Sequence, residues 1–135
     1  MNHIIDNIYI GSFDSSNSII EINNNRITSV INVAAELEPE IFLPNIEYYK
    51  YGVFSYIDIT YDILDSVYCT ILHQLRKGAI LLHCSEGISR SVIFCIYYIM
   101  KKHGKTVDEA IDIIKANRKQ ANCNVFSRLM LSKYF

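Results

Sequence analysis

Residues 81–91 read Leu81-Leu82-His83-Cys84-Ser85-Glu86-Gly87-Ile88-Ser89-Arg90-Ser91. Upstream, 79–82 are a four-residue apolar run placed directly after the helix stop Lys77-Gly78, a pattern that predicts a buried central strand. Downstream, 89–102 are apolar nearly all round and run into Lys101-Lys102-His103 and Gly104, which predicts a buried helix with a defined end. A short loop between a strand and a helix start can turn its backbone amides inward, where the helix dipole adds positive potential. A dianionic phosphate fits such a cradle. The same field favours a thiolate at Cys84, giving a nucleophile at neutral pH.

The other residues of the stretch suit that reading. Arg90, at the helix start, can clamp two phosphate oxygens with its planar fork, a geometry Lys does not match. Gly87 supplies a position without a Cβ where backbone must bend or approach a ligand closely. Ser91 can offer its hydroxyl to the sulfur and make it a better leaving group. The expected phosphate-binding segment is Ser85, Glu86, Gly87, Ile88, Ser89 and Arg90, and His83 is expected to orient the loop by bonding to backbone rather than to act as an acid. A Cys six residues before an Arg arises by chance in roughly one chain in seven. Requiring His before the Cys, Gly three after it and Ser after the Arg lowers this to about one in ten thousand. The bland alternative, a buried inert thiol, is set aside on that ground.

Further out, residues 8–10 closed by Gly11-Ser12 read as a first strand, a short helix begins within 16–21, and the β-branched run 27–33 reads as a buried strand. Residues 48–54 are a weaker strand, followed by a loop over 55–61. Asp62 is expected to cap the next helix, whose face carries Ile63, Val67, Ile71 and Leu75. Thr106-Val107-Asp108-Glu109 is a capping box opening a helix that runs to about Asn117 with Val107, Ala110, Ile111 and Ile114 inward. A last helix is expected over 125–134. Strands alternating with helices give an α/β fold: one domain over 1–135, with a central, mainly parallel sheet flanked by helices on both faces.

Composition excludes several classes. Half the 135 residues are hydrophobic, a fifth are charged and the formal net charge is −1, so no nucleic-acid footprint of clustered cations is expected. Lys101-Lys102 and Lys115 with Arg118-Lys119 read as solvated helix ends. The longest apolar stretch, 92–100, is too short to span a membrane, and the N-terminus lacks the pattern of a secretory signal, so no membrane insertion and an intracellular, cytoplasmic protein are expected. Cys69, Cys84, Cys95 and Cys123 form no CxxC pair, and Cys69, Cys95 and Cys123 read as small core residues. A role for Cys69 or Cys95 in resolving an oxidised Cys84 is the less favoured reading. No cofactor and no metal are expected, since no cluster of His and carboxylates has ligand spacing.

His-Cys-x5-Arg-Ser between strand and helix resembles the cysteine-dependent protein tyrosine phosphatases, most closely their compact dual-specificity group. The likeness extends over nearly the whole chain: Asn7-Ile8-Tyr9-Ile10-Gly11 resembles the family's opening strand, 27–33 its next strand, and 106–118 the helix and arginine after the catalytic helix. Tyrosine-specific domains are roughly twice as long, and their recognition insertions have no room here. The resemblance implies a phosphoprotein substrate, a shallow pocket taking phosphotyrosine and phosphoserine or phosphothreonine, a phosphocysteine intermediate, and a general acid on the loop before the helix that precedes the catalytic strand.

Asp58 is the best positional match for that acid and Asp62 its rival. The chain departs from the family pattern here, since family members often carry the acid five residues before the position Asp62 occupies, where Ile57 stands. It departs again near the end, where Cys123 replaces a proline of a Pro-Asn-x-x-Phe pattern; Asn124 is expected to support the loop. Glu86 beside Arg90, with no Lys, favours phosphoproteins over phosphoinositides or RNA 5′-triphosphates. Competing readings are a phosphate-binding pseudophosphatase, which intact Cys84 and Arg90 argue against, and a rhodanese-like sulfurtransferase or arsenate reductase, which Arg90-Ser91 at the helix start disfavours.

Overall fold

The computed structural model describes residues 1–133. Five strands, β1 (Asn2–Ile5), β2 (Ile8–Gly11), β3 (Ile27–Asn32), β4 (Glu47–Lys50) and β5 (Ala79–His83), form one sheet in the order β1-β2-β5-β3-β4. Only β1 and β2 are antiparallel; β5 runs parallel to both β2 and β3, and β3 parallel to β4. The apolar run at 79–82 is thus the central strand, as its composition requires. The expected opening strand is β2. It is preceded by β1, which the sequence reading did not include, joined through a turn in which Asp6 sits at φ 51.

Among the described residues six α-helices follow: α1 (Phe13–Ser16), α2 (Ile19–Asn24), α3 (Tyr61–Leu75), α4 (Arg90–His103), α5 (Val107–Asn117) and α6 (Val125–Ser132). The helix expected near 16–21 is two short pieces, each started by a serine whose hydroxyl takes an amide three residues on, Ser12 from Ser15 and Ser18 from Glu21. Alternation along the strands divides the core. Ile80 and Leu82 of β5 join Ile8, Ile10 and Ile31 under α3, α4 and α5, while Ala79 and Leu81 join Ile27, Val30 and Ile22 under α2. Residues 91–100 of α4 are all buried, so this helix passes through the main core and fixes whatever its N-terminus holds. Among the described residues no helix is long and apolar enough to cross a membrane.

Three local readings are corrected. Thr60, not Asp62, caps α3: its hydroxyl accepts the Ile63 amide at 3.3 Å, and Asp62 lies exposed in the first turn. A hydroxyl two residues earlier had the better reach to that amide. Cys69 is exposed on α3 rather than in the core. Arg118 is not a solvated helix end but is buried at 6% exposure. The capping box of α5 is present, with Thr106 and Glu109 exchanging bonds of 3.1 and 3.0 Å. The last helix ends at Ser132; Tyr134, to which it was expected to run, lies outside the described residues.

Candidate active site

The loop 84–89 links the end of β5 to the start of α4, and every carbonyl in it is held from outside. His83 Nδ1 donates to the Cys84 carbonyl at 3.0 Å and the Phe13 amide to Ser85 at 2.8 Å. Arg118 donates through Nη2 to Glu86 at 3.0 Å and through Nε to Gly87 at 2.8 Å. The Asn122 amide reaches Ile88 at 2.7 Å, and Ser89 receives the Ile93 amide at 3.1 Å as α4 begins. A peptide unit whose oxygen is drawn outward points its N–H the opposite way, so six consecutive outward carbonyls produce a concave face of amides. This is the physical origin of the anion cradle, a shallow cavity of about 220 Å³ lined by Cys84, Ser85, Glu86, Ile88, Ser89 and Arg90.

Gly87 is required at the tightest point of the bend. Its φ is +69, and a Cβ there would stand 2.4 Å from the Gly11 carbonyl oxygen and 2.8 Å from Arg118 Nη2.

Cys84 is buried at the floor of the cradle, its Sγ 3.3 Å from Ser91 Oγ. Burial alone would push the thiol up. The Ser91 hydroxyl, the amides of Ser91 and Gly87 and the charge of Arg90 outweigh it, so the thiol lies below its ordinary 9.0. The expected hydroxyl contact from Ser91 to sulfur is therefore present in the geometry. His83, also buried, is held below its ordinary 6.5 by desolvation against the opposing bond to the Cys84 carbonyl, which suits a neutral ring orienting the loop. Cys95 shows what burial does without such donors, since its thiol is pushed up to about 12.

Arg90 is anchored by a residue that sequence reasoning missed. Its Nη1 and Nη2 donate to the two carboxylate oxygens of Glu36 at 2.5 and 2.7 Å, and Nη1 also reaches the carbonyls of Val53 at 2.9 Å and Phe54 at 3.1 Å. No described residue accepts from Nε, so the edge of the fork formed by Nε and the remaining Nη2 hydrogen is available to two oxygens of a ligand. Glu36 is held below its usual range chiefly by the Arg90 bond. Arg118, read from sequence as a solvated helix end and as the counterpart of a family arginine, was missed as a support of the loop; its third donor, Nη1, meets Asn2 at 2.7 Å. Neither partnership has a local sequence signal.

Asp58 closes a short 3-10 turn, Tyr56–Asp58, with its Oδ2 accepting the amides of Phe54 at 3.2 Å and Ser55 at 3.1 Å. The loop that carries it is tied to the cradle by the Arg90 bonds to Val53 and Phe54. Asp62 instead faces a separate surface depression with Tyr51, Asp65 and Cys69. Asn124 does not reach the loop through its side chain: Oδ1 accepts the Ser127 amide at 2.8 Å and caps α6, and the contact to the cradle comes from the Asn122 backbone.

A cradle of this kind invites comparison with known proteins. The family profile described as "Dual specificity phosphatase, catalytic domain" matches residues 8–134. Dual specificity protein phosphatase 1B of Arabidopsis thaliana is 31% identical over 129 residues, covering 92% of this chain and 75% of the relative. Dual specificity protein phosphatase 21 of Homo sapiens is 30% identical over 120 residues, covering 87% of this chain, which spans only 62% of that relative's length. The crystal structure of human DUSP28 superposes with a TM-score of 0.89 at 22% identity, covering 99% of this chain and 94% of that one, and shows the shared fold. The chain belongs to the dual specificity phosphatase catalytic-domain family, a group of cysteine-dependent protein phosphatases.

Proposed function

We propose that the chain acts as a single catalytic domain that hydrolyses phosphotyrosine and phosphoserine or phosphothreonine in proteins through a phosphocysteine. The Cys84 thiolate attacks phosphorus in line, the S–P bond forming as the ester P–O bond breaks. Asp58 gives a proton to the departing oxygen. Water then attacks the phosphocysteine, Asp58 takes its proton, and sulfur leaves as a thiolate stabilised by the Ser91 hydroxyl. Arg90 and the amides of Ser85, Glu86, Gly87, Ile88, Ser89 and Arg90 hold the three equatorial oxygens throughout. Exposed Glu86 at the mouth, with no Lys beside Arg90, favours a phosphorylated side chain over a polyphosphate or phosphoinositide. A reducing, cytoplasmic compartment suits a working thiolate.

The arrangement that carries this reading is the buried Cys84 thiol, 3.3 Å from the Ser91 hydroxyl, at the floor of a loop whose carbonyls are all bonded outward. The test is hydrolysis of para-nitrophenyl phosphate by wild type, Cys84→Ser and Asp58→Ala. Abolished turnover in the first and a loss of about a hundredfold in the second support the assigned roles.

A second reading rests on Asp58, whose Oδ2 is engaged by two amides of its own turn. If that carboxylate stays there, the cradle captures phosphoproteins with little turnover. Tight vanadate binding by wild type without hydrolysis would establish this alternative.

A further inference from the structure

Large apolar side chains stand exposed on both walls of the cradle's mouth. On one wall are Phe54, Tyr56 and Ile57; on the other, Val125, Phe126 and Leu129 share one stripe of α6 at helical spacing. Apart from Tyr56, they are between 58% and 73% exposed. The two groups meet, since the rings of Tyr56 and Phe126 lie 5.6 Å apart. The first wall is bonded to the cradle through Arg90 to the Val53 and Phe54 carbonyls, and the loop leading into α6 is bonded to it through the Asn122 amide to Ile88. The patch therefore adjoins the phosphate site through the segments that carry it.

That continuity determines what covers the rim. A phosphate seated against inward amides points its ester oxygen out of the cradle, so the substrate chain on either side of the phosphorylated residue must cross these walls. The mouth carries the carboxylates Glu36, Asp58 and Glu86, and the fork of Arg90 beside them is already paired with Glu36. We propose that this rim selects phosphoprotein segments that place a bulky apolar side chain within about two residues of the phosphorylated one, and disfavours acidic flanks. The inference rests on the phosphatase reading above.

Four matched phosphotyrosine peptides, with Leu, Phe, Ala or Glu flanks, test it in wild type and in the double variant Val125→Gln/Leu129→Gln. Both positions are exposed, and Gln keeps the helix. Wild type should show kcat/KM about tenfold higher for Leu or Phe flanks than for Ala, and lower for Glu. The double variant should lose most of that ratio while hydrolysing para-nitrophenyl phosphate, which has no flanks, at the wild-type rate. Equal ratios in the two proteins overturn the proposal. Sedimentation of both proteins identifies the other occupant: a wild-type dimer that the variant dissolves, with peptide preference unchanged, assigns the rim to a second copy and also overturns it. Should no phosphate ester be turned over, the phosphatase reading fails by itself. Binding of the same peptides, followed by fluorescence anisotropy, then decides the rim by the same ratios.

Discussion

Glu36 and Arg90, 54 residues apart in sequence, face each other as a carboxylate and a guanidinium joined by two parallel bonds of 2.5 and 2.7 Å. The pair leaves the Nε edge of Arg90 available to a phosphate and fixes where that edge lies. Replacing Glu36 by Ala should lower kcat/KM for para-nitrophenyl phosphate by about tenfold to a hundredfold, with KM rising, because the clamp acts in the ground state as well as the transition state. Steady-state kinetics check both parts.

Arg118 supports the cradle from behind. Its Nε and Nη2 serve the carbonyls of two adjacent residues, Gly87 and Glu86, which a single ammonium cannot reproduce. Arg118→Lys should therefore lose both stability and turnover, and Arg118→Met should cost about 1–3 kcal/mol for each carbonyl left unpaired. Thermal unfolding combined with phosphatase assays measures the two effects.

Gly87→Ala introduces a Cβ 2.4 Å from the backbone oxygen of Gly11. The loop must shift to relieve that contact, and the amide ring opens with it. The expected result is a folded protein without measurable vanadate binding; circular dichroism establishes folding and vanadate titration the loss of the site.

Cys84 ionises below its ordinary 9.0, so the folded protein holds fewer protons at this thiol than the unfolded chain. Its contribution to stability is complete above 9.0 and is lost as pH falls through the folded value. The alkylation rate of Cys84 by iodoacetamide should rise with pH along the same ionisation. Ser91→Ala removes the first of the groups that lower the thiol, and the rising limb should move towards higher pH.

What the sequence made legible is the strand–loop–helix unit, because its signals are local. An apolar run follows Lys77-Gly78, and α4 ends at Gly104 in the left-handed conformation at φ 66. Thr106 and Glu109 are close enough in sequence for their reciprocal bonds to be read directly. β1 was not legible: it is four residues long at the sheet edge, with only Ile4 buried, too short for alternation to register. The cap of α3 was misplaced by two residues because Thr60 and Asp62 both have capping chemistry, and geometry alone selects Thr60. Glu36 and Arg118 act across 54 and 31 residues, and only the folded chain brings such partners together. The loop over 55–61 was legible, and Asp58 closes a 3-10 turn within it.

The central claim is that Cys84 carries the phosphoryl group during turnover. The direct measurement is mass spectrometry of protein acid-quenched in the steady state with a phosphotyrosine peptide, followed by peptide mapping. The account predicts one phosphoryl group on the peptide containing Cys84, absent from Cys84→Ser, which should also be inactive. Turnover by Cys84→Ser, or a phosphoryl group found on another residue while Cys84 stays unmodified, would contradict it.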